Sequence, residues 1–330
     1  MSCWWREEPP AWTLPLAPVS LAYAAGARIH RALARPGKAR IPVISVGNLT
    51  VGGAGKTPVT LFLARELVRL GKKPAVLSRG YGRNSRAPLR VTPATDPRLS
   101  GDEPLLLARH GLDVWVGADR AALADVAASA DADVLVLDDG LQHHRLARDL
   151  DVVVVDAAAP FGNGWLLPRG PLREQPSSLA RVSHGLLWLT RADAPRSAAL
   201  RRLPDWPTVE SVLRPAIEAT DAAAHSAGGA DLRGQRVFLF AGIARPQRFE
   251  ATLRALGAVV VGTRWFRDHH WYTDSEIARL RSAARDALLL TTEKDLVRLR
   301  DPSGIHALRV ELQITAGRPA LQAALTQVLR

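Results

Sequence analysis

Cysteine, methionine and lysine are scarce in this chain of 330 residues. Cys3 is the one cysteine. That excludes an internal disulfide and any cysteine-based metal site, and leaves a reducing compartment open. Aromatic residues make up only 5% of the chain, and no aromatic-rich RNA-binding signature occurs. Residues 11–27 are mostly apolar, but Pro15 and Pro18 interrupt them, so the stretch is too short and broken to cross a bilayer as a helix. Glu7 and Glu8 precede it and no clear cleavage site follows, which argues against a signal peptide. No run of basic residues resembles a nucleic-acid arm. Lysine occurs only at Lys38, Lys56, Lys72, Lys73 and Lys294, so arginine carries most of the positive charge.

A hydrophobic content of 47% and a charged content of 23% describe a globular protein long enough for two domains. The net charge of +12 asks for an acidic partner, whether nucleic acid, anionic lipid or a phosphorylated substrate. An arginine-rich coding bias accounts for the same excess equally well. From about Val19 the pattern turns helical, and Arg28, His30, Arg31, Arg35, Lys38 and Arg40 follow. An apolar helix with a basic end suits an anionic membrane surface, and it also suits packing on its own domain.

The densest signal lies between residues 41 and 57. The apolar run 41–46 reads as a buried strand, followed by a glycine-rich turn and then Gly55-Lys56-Thr57 opening a helix. This order cradles a nucleotide polyphosphate. Backbone N–H groups of Thr50, Val51, Gly52, Gly53, Ala54 and Gly55 curl around the phosphates at a helix N-terminus, Lys56 adds a point charge, and the Thr57 hydroxyl is a ligand for Mg²⁺. Thr50 stands where the P-loop pattern has its first glycine.

Apolar runs alternate with helical stretches on either side. Strands are expected at 74–77, 113–116, 133–137, 151–155 and 185–189, and helices at 57–70, 102–110 and 118–130. After an Ala-, Arg-, Pro- and Gly-rich region at 197–234, with a connecting strand at 208–213 and a flexible loop at 221–230, the alternation restarts. The fold class is α/β: a P-loop NTPase-like, mostly parallel sheet with helices on both faces, plus a second, smaller α/β domain. Ligands are expected at the carboxyl ends of the strands.

Residues 134–137 form an apolar run that ends in Asp138-Asp139-Gly140, where a P-loop enzyme keeps the acid that holds Mg²⁺. Gly101-Asp102-Glu103-Pro104 reads either as a helix start with acids in its first turn or as a general base near the γ-phosphate. Histidines pair at His143-His144 and His269-His270; a metal site among them is conceivable, as are cleft-lining and solvated roles. Arg79 and Arg83 lie in one glycine-rich loop and Arg173 in a Pro/Gly loop, where guanidinium forks suit phosphate. Thr190-Arg191-Ala192-Asp193 resembles the guanine-reading element of GTPases with arginine for lysine, which keeps a GTPase switch or metallochaperone as the alternative.

Taken together, residues 47–58 resemble the P-loop of the tetraacyldisaccharide 4'-kinase (lipid A 4'-kinase) family, which also lacks a glycine at the Thr50 position. Ser78-Arg79-Gly80-Tyr81-Gly82, Gly101-Asp102-Glu103-Pro104, Leu137-Asp138-Asp139-Gly140-Leu141-Gln142, Pro168-Arg169-Gly170-Pro171-Leu172-Arg173-Glu174, Ala241-Gly242-Ile243-Ala244-Arg245-Pro246, Asp268-His269-His270 and Thr291-Thr292-Glu293-Lys294-Asp295 match in the same order. The resemblance runs from about Trp12 past Asp295.

It implies transfer of the γ-phosphoryl of ATP to the 4'-hydroxyl of an acylated glucosamine disaccharide 1-phosphate, giving the bis-phosphorylated lipid A precursor. It implies two α/β/α units joined by a short β linker: a kinase domain over residues 1–215 with a membrane-contacting N-terminal helix, and a smaller domain over 216–330 closing on the cleft. ATP and Mg²⁺ are the expected cofactors. The expected location is peripheral, on the cytoplasmic face of the bacterial inner membrane, with no nucleic-acid partner. Lys56 would act on the γ-phosphate, Thr57 with Asp138 or Asp139 would hold Mg²⁺, and Asp102 paired with His269 would take the hydroxyl proton. Arg79, Arg83 and Arg173 would meet the substrate's 1-phosphate or the transferred group.

Overall fold

The computed structural model describes residues 2–6, 8–218 and 232–330; the expected loop at 221–230 lies outside them. The strands are β1 (Val43–Gly47), β2 (Pro74–Ser78), β3 (Leu89–Val91), β4 (Asp113–Val116), β5 (Val134–Asp138), β6 (Leu150–Asp156), β7 (Gly185–Thr190), β8 (Thr208–Glu218), β9 (Arg236–Ala241), β10 (Val259–Trp265), β11 (Leu288–Thr292) and β12 (Ile305–Ala316). The helices are α1 (Ala17–Leu33), α2 (Lys56–Arg69), α3 (Pro97–Ser100), α4 (Asp102–Arg109), α5 (Arg120–Ser129), α6 (Pro246–Ala255), α7 (Asp274–Ala284), α8 (Glu293–Leu296) and α9 (Arg318–Val328).

Among the described residues these strands make one sheet, in the order β10-β9-β11-β12-β8-β7-β6-β1-β5-β2-β4-β3. Only the β3–β4 and β8–β12 pairs are antiparallel. The parallel strands are apolar on both faces because both faces are covered. Ile44, Val46, Val76 and Val136 pack with Val59, Leu63 and Leu67 of α2. Their sequence neighbours Val43, Ala75, Leu77, Leu135 and Leu137 pack with Leu123, Ala124 and Ala127 of α5. This is the two-residue alternation of a strand met by a helical stripe on each side.

The same logic builds the second unit. Val237, Leu239 and Ala241 meet Phe249 and Leu253 of α6, while Phe240 and Leu289 meet Ile277 and Leu280 of α7. The long β8–β12 ribbon, paired from Ala307↔Glu218 to Ala316↔Glu210, joins the units within one continuous sheet. The expected 215/216 boundary falls inside β8. The last helix returns to the first unit, where Leu321 and Leu325 of α9 share a core with α2. The chain therefore crosses between the units twice.

Register positions the chemistry. Val46 of β1 is level with Asp138 of β5, and Gly47 with Val153 of β6. The turn after β1 and the acids after β5 thus leave the sheet side by side at its carboxyl edge, where open α/β sheets bind ligands.

Candidate active site

The turn from β1 to α2 needs left-handed backbone at two places, Gly52 (φ 99°) and Gly55 (φ 91°). A Cβ at Gly55 would stand 3.1 Å from Cγ2 of Thr190, so a side chain there is crowded as well as strained. Thr50 is not among the positive-φ residues. It forms an antiparallel bridge with Leu172, and its hydroxyl accepts from Asn48 Nδ2 at 3.1 Å. A glycine is therefore not required where the common pattern has one. Val51 N–H donates to the Pro171 carbonyl and Arg173 N–H to that of Leu49, so the segment 171–173 backs the turn like a short strand.

Lys56 Nζ donates to Asn48 Oδ1 at 2.9 Å and lies 3.6 Å from Asp139. Asp139 receives Arg173 Nη1 at 2.9 and 2.7 Å. Gln142 ties the two sides, accepting from Arg173 at 3.1 Å and donating to the Asn48 carbonyl at 3.0 Å. Burial works against ionisation of Asp139, but the adjacent Lys56 and Arg173 outweigh it and hold its pKa below the usual carboxylate value. Asp138 lies in a different setting. It is 2% exposed and its side chain accepts only hydroxyls, Thr60 at 3.1 Å and Ser78 at 3.4 Å. Burial, then the charges of Glu103 and Asp139, push its pKa up to about 7. Thr57 is half-buried in the first turn of α2.

A buried acid with hydroxyl neighbours, a second acid beside it and a helix-start threonine make a hard-oxygen set that suits Mg²⁺. Among the described residues no three His, Cys, Asp or Glu side chains form a metal-holding group by themselves. A P-loop site does not require one, because a hydroxyl and phosphate oxygens complete the shell.

Asp102 is the first residue of α4 and only 3% exposed. Gly101 takes the N-cap position, so Asp102 does not cap the helix; its Oδ1 accepts from the Glu103 N–H at 3.0 Å. Its Oδ2 meets His269 Nδ1 at 2.9 Å across 167 residues of sequence. Arg298 Nε lies at 3.6 Å and Lys294 Nζ at 3.9 Å. Burial opposes the charge, yet the His269 hydrogen bond and the Lys294 and Arg298 cations prevail and hold Asp102 down to about 2. His269 takes a left-handed φ of 59°, with its N–H on the Gly242 carbonyl. Behind it, buried Asp295 accepts from Gly242 N, Tyr272 Oη and Arg298 Nη2 at 2.7 to 2.8 Å. That network fixes the turn carrying His269 and joins the second unit to α4 of the first.

The structure therefore brings Lys56, Asp139 and Arg173 together in one cluster and Asp102 and His269 in another. It does not bring Arg79 or Arg83 into either by direct contact. Arg79 is exposed, with its charge felt by Arg120, and Arg83 donates to the Ala87 carbonyl of its own loop at 2.8 Å. The histidine pairs part company. His143 and His144 are both held down to about 4 by burial and nearby arginines, whereas His270 meets Glu276 at 3.2 Å and stacks on Phe266. Thr190 Oγ1 donates to the Ala54 carbonyl of the turn at 3.0 Å, and Arg191 is drawn to Asp156 at 3.0 Å. The stretch 190–193 thus braces the turn from the side opposite Asp138.

Several residues escaped the reading of individual motifs. Asn48 and Gln142 position the lysine and Arg173; Arg120 donates to the carbonyls of both Asp138 and Asp139 at 3.2 Å. Lys294 donates to Glu103 Oε1 at 3.0 Å beside the Asp102–His269 pair. Arg245 and Arg248 of the second unit converge with Arg191 on buried Asp156, and Arg245 also lies 3.5 Å over the ring of Trp5. Lys294 was signalled only by the scarcity of lysine and by its place in the 291–295 motif. Nothing local marks Asp156 as a meeting point.

Comparison with known proteins bears on this arrangement as a whole. A sequence model of the family described as Tetraacyldisaccharide-1-P 4'-kinase matches residues 12–330. The tetraacyldisaccharide 4'-kinase of Anaeromyxobacter dehalogenans (strain 2CP-C) is 48% identical, covering 98% of this chain and 93% of that protein. That of Methylobacterium sp. (strain 4-46) is 46% identical, covering 99% and 97%. The crystal structure of the "apo" form of LpxK from Aquifex aeolicus in complex with ATP superposes with a TM-score of 0.82 at 28% identity, covering 97% of this chain and all of that one.

Proposed function

The chain belongs to the tetraacyldisaccharide-1-P 4'-kinase family, and we propose that it transfers the γ-phosphoryl group of ATP to the 4'-hydroxyl of a tetraacyldisaccharide 1-phosphate. The observation that carries this reading is a P-loop turn level with the adjacent Asp138 and Asp139, in a chain whose residues 12–330 match the kinase family. The turn 50–57 grips the triphosphate with backbone N–H groups, and Lys56 swings from Asn48 and Asp139 to the phosphates. Thr57 with Asp138 or Asp139 would hold Mg²⁺; when bound, the ion offsets charge on the β- and γ-phosphates. Asp138 has the stronger claim. Its carboxylate is buried and meets only hydroxyls at hydrogen-bond distance, whereas Asp139 is already engaged by Arg173 and Lys56.

Asp102 takes the acceptor proton. A carboxylate held near 2 is a weak base, so it accepts the hydroxyl hydrogen bond first. It receives the proton late, as the new O–P bond forms and the hydroxyl becomes acidic. His269 orients Asp102 from the second unit, so closure of the cleft gates the reaction. Arg173, next to the acids, would meet the transferred group, and Arg79 and Arg83 the substrate's 1-phosphate.

The enzyme works as a peripheral protein on the cytoplasmic face of the inner membrane. Among the described residues no helix is long and apolar enough to cross a bilayer. Yet Trp12, Leu14, Leu21, Ile29 and Leu33 are each more than half exposed on and before α1. Arg31 at the basic end of that helix binds Glu174 at 3.3 Å, next to Arg173, so the apolar face opens beside the cleft. Labelled ATP incubated with the disaccharide monophosphate lipid tests the reaction: label is expected on the lipid, and label only in free phosphate would overturn it. Replacing Leu21 and Leu33 by Glu is expected to reduce sedimentation with anionic vesicles; equal sedimentation would remove α1 from the membrane contact.

A further inference from the structure

Lys294 is the only lysine after Lys73, and it stands on α8 facing α4 of the other unit. Its ammonium donates to Glu103 Oε1 at 3.0 Å, lies 3.3 Å from His269 Nε2, and reaches Asp102 Oδ2 at 3.9 Å. Arginine serves nearly every other cationic contact in this chain. Here three acceptors surround one compact donor.

An ammonium has three donors and no acceptor. The imidazole nitrogen that faces it at 3.3 Å accepts with a lone pair, the Asp268 carboxylate standing farther off at 3.8 Å. The ring's single proton is left on Nδ1, pointing at Asp102 Oδ2 at 2.9 Å. Burial disfavours the charged lysine, but Glu103, Asp102 and Asp268 more than compensate and raise its pKa, so Lys294 keeps its proton.

We propose that Lys294 is the positioning residue that sets the tautomer of His269, directing the acceptor's proton to Asp102 and away from the ring. The inference rests on the Asp102–His269 reading given above. In the step it serves, the sugar O–H bond breaks with the proton going to Asp102. The oxygen pair forms the bond to the γ-phosphorus, and the bridging P–O pair leaves with ADP. With Lys294 at Nε2, the ring already spends its lone pair and its N–H, so it has no site for the incoming proton. Without Lys294, Nε2 is open and the ring can turn to the other tautomer, donating outward and accepting from the acid side.

The test uses the full-length protein labelled with ¹⁵N-histidine, with the His269 signals assigned by their loss in His269→Gln. Two-bond ¹⁵N–¹H correlations are expected to show Nε2 unprotonated in the wild type. In Lys294→Met the Nε2–H form should appear, with kcat down at least about tenfold and KM for ATP within about twofold. Lys294→Arg, which keeps a cationic donor, should retain the Nδ1–H form, and it serves as the second variant if the Met protein melts early. A proton on Nε2 in the wild type, an unchanged tautomer in Lys294→Met, or unchanged kcat there would each overturn the inference. Failure of the parent reading looks different. Wild-type kcat in Asp102→Asn sinks the dyad itself, whereas loss of turnover there with Lys294→Met unaffected sinks only the role of Lys294.

Discussion

Asp138 and Asp102 are both buried, and their surroundings act in opposite directions. Asp138 is met by two hydroxyls and by the fields of other acids, and is pushed up to about 7. Asp102 is met by His269, Lys294 and Arg298, and is held down to about 2. The first has no cation in hydrogen-bond contact with its carboxyl, and the charge of Lys56 only partly offsets its burial. The second has its countercharge built in, and every part of that charge comes from the other unit. In the proposed mechanism the phosphate side is thus assembled within the first unit, and the proton side exists only while the two units are in contact.

The largest expected effect falls on the phosphate side alone. Lys56→Ala should lower turnover on the order of 10³-fold and weaken ATP binding while leaving the melting temperature nearly unchanged, checked by steady-state kinetics and calorimetry. His269→Gln should act on the proton side alone, with turnover down about 10²-fold and KM for ATP within about twofold. A matching rise in KM for ATP would erase the distinction between the sides.

Stability against pH separates the two acids further. Asp102 titrates lower in the folded chain than its ordinary value of 3.8, so it stabilises the fold above that pH, and the gain is lost as pH falls from about 4 to about 2. The shift corresponds to about 2 kcal/mol. Asp138 is raised instead, so the unfolded chain gives up its proton first, and stability declines as pH rises from about 4 to about 7. Denaturant melts of Asp102→Asn should lose the acid-side dependence. Asp138→Asn should melt higher than wild type at pH 7 while turning over no lipid. The smallest effect is expected at the inter-unit contact around Asp156. Arg245→Ala leaves Asp156 with Arg191 and Arg248, and should cost about 1 kcal/mol in the same melts.

What the sequence revealed follows the same division. The P-loop, the acids of β5 and the α/β alternation are carried by neighbours in sequence and by two-residue and helical periods, so they could be read residue by residue. The short edge strand β3 and the extension of β8 and β12 into a long ribbon were not legible, because pairing partners, not local pattern, decide them. Asp102 stood between a helix start and a base until His269 was known to lie 2.9 Å away, and only resemblance to a family brought the two together beforehand. The convergence of Arg191, Arg245 and Arg248 on Asp156 had no local sequence signal, since the turn after β7 and the start of α6, far apart in sequence, supply it. For Arg79 and Arg83 the glycine-rich loop was legible but the partners were not: Arg83 donates to the Ala87 carbonyl of its own loop.

The central claim is that proton transfer and phosphate binding reside in separate charge environments that meet at the seam between the units. Its most direct test is Asp102→Asn, with the ATP dissociation constant by calorimetry and the single-turnover rate of lipid phosphorylation measured on the same preparation. Affinity within about twofold of wild type with transfer slowed at least about 10²-fold is the predicted result. An unchanged transfer rate, or an affinity that falls in step with the rate, would contradict it.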